Sequence, residues 1–121
     1  MKMKKLDYKG KCIKRALSKC SDVCRSYSEI QDDYARFLQI NDDVKAFSCN
    51  VQLTDDPETE MYTTDFVITL NDGTIRVREC VYRKNLERPS TARLLDLSKK
   101  YWQSKGVADW GLVVDVYTKT V

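Results

Sequence analysis

Between residues 8 and 25, Ile13, Ala16, Leu17, Cys20, Val23 and Cys24 recur at intervals of one, three and four among Lys and Arg. That is the period of one helical face, and it predicts a basic helix. Ser26 or Ser28 then suits an N-cap for a second helix over residues 29 to about 38, with Ile30, Tyr34, Phe37 and Leu38 on its apolar face. Asn41-Asp42-Asp43 reads as the turn that ends it. Beyond that turn the pattern changes to strict alternation. Phe47, Cys49, Val51 and Leu53 alternate with polar residues, as in a half-buried strand, and Thr54-Asp55-Asp56-Pro57-Glu58 forms a polar loop. Residues 61–70 predict a second strand, Asn71-Asp72-Gly73 a tight hairpin turn, and residues 74–82 the returning strand. Pro89-Ser90-Thr91 opens a helix to about residue 105, with Leu94, Leu95, Tyr101 and Trp102 turned inward. Gly106 stops it, and residues 107–116 form a fourth strand. The order is α-α-β-β-β-α-β. A helix between the last two strands predicts a crossover and a parallel pair at the sheet centre.

Composition narrows the class. A length of 121 residues suits one domain, and 42% apolar with 32% charged residues excludes a disordered chain. Apolar runs such as Gly111-Leu112-Val113-Val114 fall far short of the ~20 residues a membrane helix needs. Met1-Lys2-Met3-Lys4-Lys5 is basic without a following apolar region, which reads against secretion and for a soluble, intracellular protein. The chain has no histidine, which excludes His-based catalysis and Cys2His2 zinc sites.

Charge is segregated along the chain. Residues 1–27 carry net +7, residues 28–65 net −8 and residues 66–121 net +4. A basic arm before an acidic middle fits phosphate contacts at one place and metal-collecting acids at another. Two parts are therefore expected: a basic arm or helix over 1–25 and a globular unit over 26–121. The phosphate candidates on the arm include Lys4, Lys5, Lys9, Lys11, Lys14 and Arg15; Arg83 and Lys84 form a second basic group. Five cysteines, at 12, 20, 24, 49 and 80, are an odd number and read as free thiols. Cys12, Cys20 and Cys24 would share one face of the first helix, but no CxxC pair or nearby fourth ligand appears, so core filling is the expectation.

Asp65 on the second strand and Glu79 on the third are joined by a short hairpin. Two carboxylates on adjacent strands converge on a divalent cation in metal-dependent phosphodiester hydrolysis. An acid on the preceding helix and a lysine two residues after the third-strand acid complete such a set, because alternate strand positions share a face.

The surrounding words are more specific. Met61-Tyr62-Thr63-Thr64-Asp65-Phe66-Val67-Ile68 with Asn71-Asp72-Gly73, Leu86, Ser90-Thr91, Leu95, Leu97 and Lys99-Lys100-Tyr101-Trp102-Gln103-Ser104-Lys105-Gly106 resemble the TnsA endonuclease subunit of heteromeric transposases. So do Asp109-Trp110-Gly111-Leu112-Val113-Val114-Asp115, Ser28-Glu29-Ile30-Gln31 and Asp43-Val44-Lys45-Ala46-Phe47. The resemblance spans residues 26–116. It implies the α/β restriction-endonuclease-like PD-(D/E)xK fold, an αβββαβ core with a mixed central sheet flanked by helices, here preceded by the extra basic helix.

The resemblance also places the catalytic positions. Asp65 falls on the family's metal-binding aspartate and Glu79 on the acid of its acid-x-lysine motif, whereas Gln31 stands at the helix glutamate and Val81 at the lysine. An amide brings less charge to a metal, and valine stabilises no phosphate charge. Mg2+ at Asp65 and Glu79 is accordingly expected to bind weakly or not at all. Glu29 and Asp32 point some 200° and 100° away on a helix and are not simple substitutes. Arg83, on the same expected strand face as Val81, is the possible stand-in. The expected function is DNA processing, in transposition or phage DNA handling, by an impaired nuclease fold that binds DNA or a protein partner such as a transposase subunit or phage assembly. An active endonuclease, or a phage virion component or inhibitor working through protein contacts alone, are the alternatives. The expected location is the cytoplasm, or the virion of a phage, away from membranes.

Overall fold

The computed structural model describes residues 12–54 and 62–115. Two short strands, β1 (Ile13–Arg15) and β2 (Cys24–Ser26), open the described chain and pair antiparallel, Lys14 opposite Arg25. This corrects the helix expected over 8–25, of which residues 8–11 lie outside the described residues. The apolar spacing is helical, but the backbone between the strands finds partners elsewhere. Cys20 makes a parallel bridge to Phe47, with Phe47 N–H donating to Lys19 O and Ser21 N–H to Phe47 O, each at 2.9 Å. Tertiary pairing satisfies groups that a helix would have satisfied locally.

Helix α1 (Glu29–Ile40) starts at Ser28, whose hydroxyl accepts the Gln31 N–H at 3.3 Å. It runs two residues beyond the expected end, and Asn41 N–H closes it on Leu38 O. Ile30, Ala35 and Leu38 are buried, together with the polar Gln31 and Asp32. Phe37, expected inside, is 49% exposed. Ala35 and Leu38 join Cys24, Val44, Phe47, Phe66 and Ile68 in the core, and the Tyr34 ring meets Phe66 edge-on at 5.4 Å.

Strands β3 (Val44–Gln52), β4 (Thr63–Leu70) and β5 (Ile75–Val81) form an antiparallel meander. The β4–β5 turn is as expected: Gly73 has φ +89°, and Gly73 N–H donates to Leu70 O at 2.9 Å. A 3-10 turn at Arg83–Asn85 leads to helix α2 (Pro89–Ser104), which ends at Lys105, before Gly106 at φ +90°. Strand β6 (Asp109–Val114) then pairs parallel with β5. The sheet order is β3-β4-β5-β6, so the parallel pair lies at one edge and not at the centre. The meander fills the other side of β5, and one strand alone follows the crossover. Arg76 and Arg78 of β5 hold Asp109 of β6 at 2.9 and 2.8 Å.

From α1 onward the order is αβββαβ. Phe66 and Ile68 meet the core beside α1, while Glu79, next to the Arg78 that pairs with Phe66, faces Ser98 of α2. Successive strand residues point to opposite faces, so the two helices cover opposite sides of the sheet. No helix among the described residues is long and apolar enough to cross a membrane.

Candidate functional site

The β4–β5 ladder runs from Thr69 opposite Ile75 to Phe66 opposite Arg78. One step further the register sets Asp65 opposite Glu79, and there side chains take over from backbone. Asp65 N–H donates to Glu79 Oε1 at 3.1 Å, and Cys80 N–H donates to Asp65 Oδ2 at 2.7 Å. Each carboxylate thus holds the other strand's main chain. Ser98 O–H donates to Glu79 Oε2 at 2.6 Å, and Trp110 Nε1–H donates to Ser98 Oγ at 3.0 Å. Glu79 and Ser98 are both wholly buried. A buried carboxylate needs such donors, because its desolvation is costly when it lacks them.

Gln31 completes the group from α1. Tyr27 N–H donates to Gln31 Oε1 at 2.7 Å, which fixes the amide's orientation, and Gln31 Nε2–H donates to Asp65 Oδ1 at 2.8 Å. The amide therefore presents a donor to Asp65, where a glutamate would present only acceptors. A cavity of 280 Å³ opens beside this contact, lined by Gln31, Asp65, Val81, Asn85 and Leu94 among others. Asn85 Oδ1 is buried there without a hydrogen-bond partner among the described residues. Of the four expected site residues, Gln31, Asp65 and Val81 line this one cavity, whereas Glu79 is wholly buried and is not part of its lining.

The model of the family described as TnsA-like endonuclease N terminal matches residues 25–115, from within β2 to just past β6. The chain belongs to the TnsA-like endonuclease N-terminal family. No curated protein matches it. The αβββαβ order and mixed sheet agree with the restriction-endonuclease-like core of this family, and membership ties the chain to nuclease-fold DNA processing.

Within this TnsA-like domain the other expected residues disperse. Strand β5 ends at Val81, so Arg83 lies in the 3-10 turn and not on the strand face of Val81. Its backbone N–H donates to Asp115 Oδ1 at 2.6 Å and its Nε–H to Asp115 O at 2.9 Å. Arg83 therefore leaves the strand-face placement expected of it, and its side chain is held at Asp115. Asp32 is held by Arg15 through two hydrogen bonds of 2.6 and 3.0 Å and by Arg36 at 3.5 Å. The Arg15 guanidinium, bonded to its carboxylate, keeps Asp32 below the usual carboxylate range. Arg15 is thus a structural partner, whereas Lys14 and Lys84 are exposed, Lys84 with its Nζ 5.9 Å from the Tyr82 ring centroid. Lys4, Lys5, Lys9 and Lys11 lie outside the described residues.

Sequence reasoning missed Ser98, which carries no signal as one serine inside an amphipathic helix. Trp102 and Trp110, expected as packing, each also donate to a hydroxyl: Trp102 Nε1–H reaches Thr64 Oγ1 at 2.7 Å, and Trp110 reaches Ser98. The cysteine expectation changes as well. Cys20 and Cys24 meet Cys49 of β3, and their sulfur atoms lie within 4.8 Å of one another. Hydrogen bonds from Cys24 and Cys20 draw the Cys49 thiol down to about 6, and Cys24 is pushed up in return.

Proposed function

We propose that this TnsA-like domain handles DNA by binding it, alone or with a protein partner, and that its own cleavage centre is impaired. The observation that carries this reading is the Gln31 amide donating to Asp65. Mg2+ is bound through oxygen ligands, and an N–H aimed at the aspartate competes with the cation for that oxygen. The remaining carboxylate oxygens are partly engaged as well. Both Glu79 oxygens accept hydrogen bonds from the protein, and Asp65 Oδ2 accepts from Cys80 N–H. Val81, on the cavity wall, offers no charge to a phosphate. No step of hydrolysis is therefore assigned to this site.

Binding rests on the basic side chains that remain available. Lys14, Arg88 and Arg93 are exposed and without a charged partner among the described residues. A protein partner of the transposase-subunit or phage-assembly kind is the second component of this reading, placed in the cytoplasm or in a virion. The test is a titration of duplex DNA at several salt concentrations with wild type, Lys14→Glu and Arg93→Glu. Affinity should fall with salt, and a lost phosphate contact should lower the log–log slope by about 0.9. Absence of DNA binding at low salt, or a salt-independent affinity, would contradict it.

A further inference from the structure

The three cysteines described above come from two stretches of backbone, Cys20 and Cys24 from one and Cys49 from the other, and each is fixed by pairing. Cys24 belongs to β2, Cys49 to β3, and Cys20 is bridged to β3 at Phe47. Ser21 Oγ and Ser48 Oγ, 2.9 Å apart, add a side-chain tether at the same place. Cys20 Sγ lies 3.9 Å from Cys49 Sγ. Three sulfurs bound to one tetrahedral zinc ion at ~2.3 Å stand about 3.8 Å apart, so the trio needs little rearrangement.

Cys24 is 1% exposed in the core, and Cys20 and Cys49 pack against that core while remaining partly open. Cys20 and Cys49 line a cavity of 220 Å³ together with Asp22, Arg25, Tyr27 and Asn50. Asn50 is unusual in two ways. Its φ of +54° places a non-glycine residue in the left-handed region, and its Oδ1 is buried without a hydrogen-bond partner among the described residues. Its Nδ2–H donates to Arg25 O at 2.7 Å, which orients the unpartnered oxygen. A cavity with two thiols on its wall suits a metal ion that keeps one position open to it.

We propose that Cys20, Cys24 and Cys49 form a three-thiolate site for a thiophilic divalent cation of the zinc type, with its fourth position open to the cavity beside Asn50. The site shares only Tyr27 with the lining of the Asp65 cavity and differs from it in ligands and chemistry, and it does not depend on the DNA-binding reading. Each thiol releases its proton on binding, so affinity rises with pH. Soft sulfur ligands select zinc over magnesium. The bound ion would staple the β1–β2 hairpin to β3.

The experiment is a Co2+ titration of the reduced full chain under nitrogen, read by thiolate-to-cobalt charge-transfer absorption and followed by displacement with Zn2+. One cobalt per chain is expected, with the band lost in Cys20→Ser and Cys49→Ser and kept in Cys12→Ser and Asp65→Ala. Because a serine variant can fail to fold, the wild type is also alkylated with and without Zn2+, and zinc should protect Cys20 and Cys49 at least tenfold. No cobalt band in the wild type, a band that survives Cys49→Ser, or alkylation unchanged by Zn2+ would each overturn the site.

Discussion

Gln31 donates its side-chain N–H to Asp65 Oδ1 at 2.8 Å, so the helix and strand that meet at the cavity are joined directly by an amide–carboxylate hydrogen bond. The partner of this contact is the Tyr27 N–H on Gln31 Oε1, which leaves the nitrogen no other direction. Gln31→Glu should therefore replace an attractive contact by two facing carboxylates. Expected is a loss of about 1–3 kcal/mol in metal-free buffer, seen as a lower melting temperature. Millimolar Mg2+, which thiols bind poorly, should restore part of that loss in the variant and leave the wild type unmoved. Equal melting of variant and wild type in metal-free buffer would contradict the assigned contact.

Ser98→Ala removes one donor from the buried Glu79 carboxylate and the acceptor of Trp110 Nε1–H. A buried group left short of a partner costs about 1–3 kcal/mol. The denaturant midpoint should fall accordingly, while Ser104→Ala, at an exposed hydroxyl on the same helix, should change it little.

How much of this was legible in the sequence depends on where the backbone finds its partners. Helix α1 was readable because Ser28 caps it locally and Ile30, Tyr34 and Leu38 keep the helical spacing. The β4–β5 hairpin was readable because Asn71-Asp72-Gly73 sets its own geometry. The β1–β2 hairpin was not, because its apolar residues obey the helical period and only the distant Phe47 decides the outcome. At the site, family wording singled out Asp65, Glu79, Gln31 and Val81; three of them line one cavity, and Glu79 lies buried beside Asp65. Ser98 and the direction of the Gln31 amide depend on tertiary contacts that no spacing encodes. Arg83 is off the strand face expected for it because β5 ends at Val81.

Asp32 gives a pH prediction. Its pKa is depressed in the folded state by Arg15, so the pair stabilises the fold above the ordinary carboxylate range. That stability is lost as pH falls through the folded-state value. Asp32→Asn should lower the denaturant midpoint at pH 7, and the gap from wild type should close on acidification below the usual carboxylate pKa. A gap that is the same at pH 7 and pH 3 would show that the ion pair contributes nothing.

On the proposed function, the cavity has the nuclease layout without the groups that cleave. Lysine restores phosphate charge stabilisation at Val81, and glutamate restores metal charge at Gln31; residues of one site act as a unit, so either change alone should do much less than both. The most direct measurement is nicking of supercoiled plasmid with Mg2+ or Mn2+ by wild type, Val81→Lys, Gln31→Glu, the double variant, and Asp65→Ala as control. The account predicts little or no nicking by the wild type and measurable nicking by the double variant. Robust, metal-dependent cleavage by the wild type that is lost in Asp65→Ala would contradict it.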